Sequence, residues 1–537
     1  MLTYLIRLFR ALTQSEKTVF YCCAFLAILA GIYSGRAAFV KYTTLQPAEG
    51  GEYVEGVVGQ PTAINPMQIG STGADKDLSA LLFADLMTLA ERYATSSTGK
   101  VWLIDLKDDL VWSDGKAITS DDVVFTVRTI QHPDAGSPLF ANWQGVSVER
   151  VSQLQVRFTL RAPYSYFLDS LRELRIAPAH IFEGLPVSNI RLSSYNLEPV
   201  SSGPYVFDGY EKKRDGFITS YKLKINNDYA GERALIQSFS FSFFPTYQDA
   251  LLAFGKKQID GIGGITKEQA DSIRINHVLH ESALPQYYAL FFNPSVTPIL
   301  KNKTVRQALS LATDKELIIR DVLGKKADIS HGPFSTHAKE YSSSTYANEH
   351  YSIDEAKDLL AKQGWKPGAD GVLARSVGKS SEKLSIEISV PDISFLSETA
   401  KQIKSQWEKI GVLVSIKTYP AENIDSEVIA PRAYQVLLFG NMLGASADLF
   451  SFWHSSQRFE PGLNFSLYQN SQSDKMIEAA RNIFDDEARK EVLSKLQAQI
   501  LSDAPAIFLY SPHYLYASPT NLGGFSRSLI KSPQDRL

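Results

Sequence analysis

The chain has 537 residues, of which 44% are hydrophobic, 21% charged and 11% aromatic; that balance excludes a disordered, collagenous or multi-span membrane chain, and the length excludes a single small module. Its 55 Lys and Arg against 58 Asp and Glu leave a net charge of −3, divided as +4 over residues 1–41 and −7 over the rest, so the body lacks the basic footprint of a nucleic-acid binder. Both cysteines, Cys22 and Cys23, fall in the first stretch, which excludes a disulfide framework, a Cys-based zinc site and a Cys nucleophile from Tyr42 onward.

Residues 19–33 (VFYCCAFLAILAGIY) are uncharged and almost wholly apolar. Extended to residues 18–40 they predict a helix of about 34 Å, which spans a bilayer if Arg36 reaches the headgroups. Arg7, Arg10 and Lys17 precede it, so the positive-inside bias places the flank 1–17 in the cytoplasm and everything after about Lys41 outside. A cleaved signal peptide competes, with Gly35-Arg36-Ala37 as a crude cleavage site, but the arginine inside that site favours an uncleaved anchor. Cys22 follows Tyr21 and Cys23 follows Cys22, so neither has the small residue that a lipoprotein signal places before its Cys. Residues 4–12 (YLIRLFRAL) either lie on the inner membrane surface or form a plain basic flank. Residues 41–51 read as a polar linker with Pro47, Gly50 and Gly51.

From Glu52 the pattern mixes strands and helices without a repeat, which predicts a mixed α/β body. VWLIDL (101–106) is a strand, Asp114-Gly115 a turn, and Thr119 an N-cap before a helix with Val123, Val124, Val127 and Ile130 on one face. YYALFF (287–292) is a strand ended by Asn293-Pro294, followed by a helix through Val305, Ala308, Leu309 and Ala312. Ser352 with Glu355 opens a helix that Gly364 ends. LSIEISV (384–390), a helix with Ile403 and Trp407, and residues 412–416 form a strand-helix-strand unit with parallel strands. YQVLLF (434–439) is a further strand ending at Gly440.

The nine histidines include no His-Glu-x-x-His pair, and His277 and His280 read as surface or strand-edge residues. There is no Gly-x-Ser-x-Gly elbow. Residues 261–264 (GIGG) lack both dinucleotide spacing and a phosphate-loop lysine, and read as a tight turn or a backbone that a ligand approaches closely. The aromatic groups Tyr164-Ser165-Tyr166-Phe167, Tyr287-Tyr288 and Tyr514-Leu515-Tyr516 either line a cleft or pack in a core. No catalytic residue, metal site or cofactor is predicted.

In order along the chain, LKDDLVWSDGKAITSDDVVFTV (106–127), Ser202-Gly203-Pro204-Tyr205, Asp208-Gly209-Tyr210, Asn227-Asp228-Tyr229, YYALFFNP, NKTVRQALSLATDKELII, EAKDLLAKQGW, SFWHSS and DAPAIFLYSPHYLY resemble the extracellular solute-binding proteins of the ABC peptide and nickel importer family. The resemblance covers nearly all of the chain from Glu52. It implies an α/β, bilobal fold of the periplasmic-binding-protein type, closing on ligand by a hinge. The first lobe would span 52–284, with an inserted subdomain at about 76–195; the second would span 285–495, and 496–537 would return to the first.

The implied function is extracytoplasmic capture of a peptide for an ABC permease and its ATP-binding subunits. The receptor would be a monomer held by its membrane helix, with no nucleic acid bound and no catalysis. Nickel chelates, haem and oligosaccharides are other ligand classes of the same fold. A sensor or chaperone without a transporter is a further reading, and an exported hydrolase has no motif to support it. Peptide-type members hold an extended ligand by main-chain hydrogen bonds. The matching positions here are Gln68, Ile69, Gly70 and Ser71, then Tyr287 and Tyr288 at the crossing, and the loop 441–448 with Asn441, Met442, Gly444, Ala445, Ser446 and Asp448. Asp448 would meet a peptide amino group or cap the next helix. The loop departs from the family pattern, with Phe439-Gly440, Ala445 and Ser446 where peptide receptors carry Gly-Trp and an Asp.

Overall fold

The computed structural model describes residues 13–43, 48–338, 349–378, 380–444, 446–525 and 529–537, and contacts divide the chain into two units, Met1–Glu49 and Gly50–Leu537. In the first, helix α1 (Gln14–Tyr42) opens on a capping box: Thr13 accepts the Glu16 N–H, and the Glu16 carboxylate accepts the Thr13 N–H at 2.7 Å. Its large apolar residues, among them Val19, Phe25, Leu26, Ile28 and Ile32, are exposed. Among the described residues it is the one helix long and apolar enough to cross a membrane. The stretch 4–12 and the linker positions 44–47 lie outside the described residues.

The second unit begins with strand β1 (Glu52–Val58) and helix α2 (Gly73–Leu82). A small antiparallel sheet follows, built from β2 (Ala90–Thr95), β3 (Val101–Leu106), β4 (Val146–Ser152) and β5 (Gln155–Leu160) in the order β2-β3-β5-β4. Helix α3 (Ser120–Ile130) lies within it; Thr119 caps the helix, and Asp122 takes the Thr119 N–H at 2.8 Å. The chain then forms β6 (Tyr205–Lys212), β7 (Ile218–Ile225), β8 (Ser238–Phe244), α4 (Tyr247–Gly255), β9 (Gly261–Gly263) and β10 (Val278–Ser282). These strands join β1 in a seven-stranded sheet, the seventh member being the late strand β20 (Tyr514–Ser518), in the order β10-β20-β9-β1-β8-β7-β6.

The second lobe runs through β11 (Gln286–Phe292), α5 (Lys303–Leu311), β12 (Ala327–Ile329) and a small sheet of β13 (Lys366–Pro367), β14 (Leu373–Val377) and β15 (Ser380–Lys383). Then come β16 (Ser385–Pro391), α6 (Ser394–Glu408), β17 (Leu413–Tyr419), β18 (Val436–Met442), α7 (Ser471–Asn482), α8 (Asp486–Asp503) and β19 (Ala506–Pro512). Its main sheet has the order β12-β19-β11-β18-β16-β17. As expected, β16 and β17 pair in parallel, Ser385 opposite Leu413, with α6 between them in sequence. Gly364 adopts φ +83° just past the helix Ile353–Lys362 that Ser352 caps.

Two expectations are corrected. The return to the first lobe comes at His513 and not near residue 496, which lies inside α8, because β19 pairs with β11 in the second sheet and only β20 joins the first. Residues 261–263 form a strand, not a turn, and side chains of the same sheet make the close approach. A Cβ on Gly261 would fall 2.1 Å from the hydroxyls of Tyr53 and Tyr516, and one on Gly263 would fall 2.0 Å from that of Tyr514.

Among the described residues, most of the buried apolar side chains gather in four clusters, two in each lobe, and none of the four mixes residues of both lobes. Each lobe therefore buries its own apolar core. The packing that holds each sheet together stops at the boundary between them.

Candidate functional site

Two strands carry the chain between the lobes: β10 runs into β11 through residues 283–285, and β19 runs into β20 through His513. They are tied side by side, with Gln286 Nε2 donating to the Pro512 carbonyl (3.0 Å) and Ser511 Oγ to the Leu284 carbonyl (3.2 Å). His513 stands at the crossing, with Nε2 3.3 Å from Asp328 of the second lobe and Nδ1 3.6 Å from Glu281 of the first. His337 Nε2 lies 2.9 Å from the same Asp328 oxygen, and the Lys326 ammonium pairs with Glu281. Hydrogen bonding to His513 holds the Asp328 carboxyl down to about 2 against the opposing effect of burial, and His337 adds to it. The hydrogen bond to Asp328 raises His513 in return. The crossing thus holds charged groups of both signs.

Beyond the crossing, β11 and β18 pair antiparallel and bring two of the predicted groups together: Tyr287 faces Asn441, Tyr288 faces Gly440, and Gln286 faces Met442. Successive side chains leave a strand on opposite faces. Tyr287 is fully buried, where its hydroxyl accepts from Asn441 Nδ2 at 2.9 Å and its ring meets Phe508 edge-on at 5.1 Å. Burial pushes its phenol well above the ordinary value. Tyr288 lies on the other face, edge-on to Phe395 at 5.2 Å, over a glycine whose Cβ would come within 2.7 Å of its ring. Both tyrosine side chains belong to the lobe's own packing, and Asn441 is spent on Tyr287. Met442, in contrast, is half exposed, and Gly444 turns through φ +69° with open space where a Cβ would stand. Ser446 is half-buried, and Ala445 lies outside the described residues.

The loop 68–71 has a local explanation. The carboxylate of Asp75 on α2 accepts from Thr62 N (2.6 Å), Ala63 N (2.8 Å), and the hydroxyls of Thr62 (2.9 Å) and Thr72 (2.6 Å). A Cβ at Gly70 would lie 2.0 Å from that carboxylate, so the glycine makes room for Asp75. Gln68 Nε2 donates to the Ala135 carbonyl at 2.6 Å, while its Oε1 is buried with no hydrogen-bond donor. Ile69 is half-buried and Ser71 exposed.

Asp448 sits where the lobes meet away from the crossing. Its Oδ1 accepts the Phe450 N–H (3.0 Å), while its Oδ2 accepts the Tyr164 hydroxyl of the inserted subdomain (2.9 Å) and lies 3.2 Å from Arg481 Nε. The Arg481 guanidinium lies over two rings, 4.9 Å from Tyr164 and 4.4 Å from Phe450. Tyr164 carried a signal in the sequence as part of an aromatic group; Arg481 carried none, being one basic residue near the end of an amphipathic helix.

A cavity of about 380 Å³ lies under the last residues of the chain, beside the crossing, between His280, Ser282, Tyr514, Tyr516, Phe525 and Arg536. It shares none of the predicted ligand-binding positions, but Tyr514 and Tyr516 of the third aromatic group line it. Arg536 is buried between two buried carboxylates, Nη2 lying 2.9 Å from Glu55 Oε1 and 2.6 Å from Asp77 Oδ2, so its charge is already matched. Among the described residues, no group of His, Cys, Asp or Glu is arranged to hold a metal ion.

A family model described as bacterial extracellular solute-binding proteins, family 5 middle, matches residues 87–460. The oligopeptide-binding protein AppA of Bacillus subtilis is 26% identical over 518 residues, covering 93% of each chain. Its structure in complex with a nonapeptide superposes with a TM-score of 0.71 at 25% identity, over 91% of this chain and 98% of that one. The ABC transporter substrate-binding protein CtaP of Listeria monocytogenes gives a TM-score of 0.75 at 26% identity, over 89% and 95%.

Proposed function

The chain belongs to the bacterial extracellular solute-binding proteins, family 5, and from that premise we propose that it is the receptor of an ABC importer, capturing an extended peptide between its lobes. The observation that carries this reading is the pair of lobes with separate apolar cores, joined by two strands. Such a body closes on a ligand by bending at the crossing and opens to release it. The nonapeptide bound by the Bacillus subtilis relative supports a peptide as the ligand class. Met442, Gly444 and Ser446 supply the approachable backbone at the end of β18, and an extended ligand laid there takes main-chain hydrogen bonds without its side chains being read. The receptor holds its cargo and alters nothing covalent in it.

In this reading α1 is an uncleaved anchor with its basic flank inside, and the body works outside the cytoplasm beside a permease driven by ATP-binding subunits. Thermal unfolding of the detergent-solubilised full chain against peptides of two to nine residues, nickel–histidine, haem and short oligosaccharides tests the ligand class. A peptide at a hundred times its Kd stabilises by about 2.7 kcal/mol. If none of these solutes moves the transition, the receptor reading is lost. Intact mass of the protein extracted from membranes tests the anchor, since removal of the residues before about 38 would make α1 a signal peptide.

A further inference from the structure

We infer that Tyr164, Asp448 and Arg481 form a clasp that holds the two lobes closed, and that Asp448 is a positioning residue and not the anchor of a ligand's amino group. The inference rests on the receptor reading and adds to it the residues that set closure. The inserted subdomain and the helical part of the second lobe have no chain crossing between them here, so their contacts exist only while the lobes are together.

Those contacts are specific and polar. Ser165 N donates to the Arg481 carbonyl at 2.7 Å and Ser165 Oγ to the Ala480 carbonyl at 3.1 Å. Both are among the last carbonyls of α7; the Ala480 carbonyl also accepts the Ile483 N–H of the helix's own C-cap, and the other lobe adds a bond to each. Asp448 is committed three times over, to Phe450 N, to the Tyr164 hydroxyl and to Arg481, with its side chain 13% exposed. The Arg481 cation is held between a ring of each lobe. Around it, Arg489 lies 5.3 Å from the Tyr166 ring, and Phe484 fills the space that a side chain on Gly99 would need. A carboxylate already neutralised by an arginine offers little to an incoming ammonium, whereas its loss would free Tyr164 and Arg481 from each other. Opening the lobes breaks the bonds of Tyr164 and Ser165 and the Arg481–Tyr164 and Arg489–Tyr166 contacts, while Asp448 keeps Phe450 N and Arg481, which lie in its own lobe.

The test uses the full chain and the variants Asp448→Asn, Tyr164→Phe and Arg481→Gln. Peptide dissociation is followed with a free and with an acetylated amino terminus, and amide exchange is read in the free protein. The clasp predicts about tenfold faster dissociation in each variant with association little changed, by the same factor for both peptides, and a non-additive Tyr164→Phe/Asp448→Asn double variant. It also predicts faster exchange at the Ser165 amide with an unchanged melting temperature. Asp448→Asn weakening only the free-amine peptide would make Asp448 the amine anchor and overturn the clasp, as would unchanged exchange at Ser165. If wild type binds no peptide, the ligand class fails, while the exchange measurement still decides the clasp.

Discussion

Replacing Arg536 by Gln removes the cation paired with both Glu55 and Asp77, which are 0% and 3% exposed. The guanidinium makes four contacts to the pair, at 2.9 and 3.0 Å to Glu55 and 2.6 and 3.1 Å to Asp77. Tyr516 donates one more bond to Glu55, at 2.5 Å. Removing one partner of a buried ionic group costs about 3–5 kcal/mol, because the charge left behind keeps its desolvation penalty and loses its compensation. The pH dependence has a definite sign. Burial raises the Glu55 carboxyl above its ordinary range and Arg536 opposes that rise, so without the arginine the native state keeps a proton that the unfolded chain releases near pH 4.3. A group whose folded value is raised loses its stabilising contribution as pH climbs above the unfolded value. The deficit of Arg536→Gln is therefore larger at pH 7.5 than at pH 5. Urea unfolding of residues 48–537 at both values measures it. A deficit under about 1 kcal/mol at pH 7.5, against the 3–5 expected, or one that does not shrink on acidification, would refute the reasoning.

Gly261→Ala and Gly263→Ala each drive a Cβ to within 2.1 Å of a tyrosine hydroxyl and should destabilise by about 1–3 kcal/mol. Gly255→Ala, which meets nothing within 4 Å at the end of α4, should be neutral or stabilising by up to about 1 kcal/mol; urea midpoints of the three variants distinguish them. His513 is raised by Asp328, so its contribution is complete below its unfolded value near 6.5 and is lost as pH rises through the folded value. The melting-temperature gap between wild type and His513→Gln should accordingly be wider at pH 6 than at pH 8.5. Asp328 is held down to about 2, so its contribution is present above pH 4 and fades only as the pH falls toward that value; Asp328→Asn should lose most of its deficit near pH 2.5.

The sequence made legible what neighbours along the chain decide. Thr119 and Ser352 announce their helices because an N-cap needs only the next three residues. The parallel pair β16 and β17 follows from the short strand-helix-strand spacing that separates them. What distant residues decide stayed hidden. Gly261 and Gly263 look like a turn because the tyrosines that require them lie about 208 and 251–255 positions away in the chain. Residues 506–512 carry no mark of which sheet they join, since an apolar strand suits either. For the candidate site, the pairing of Tyr287 with Asn441 places two predicted groups side by side, but which tyrosine face is buried depended on cores that periodicity alone cannot assign. The partners of Asp448 come from positions 164 and 481, and no local pattern connects them.

The unequal links between the lobes, three residues at 283–285 against the single His513, lay the pivot beside paired backbone on either side. For a rotation about such a pivot, the arc swept by an atom grows with its distance from the axis. Small angular play therefore displaces groups next to His513 little and moves contacts away from the crossing, such as those of Ser165 with the end of α7, by more.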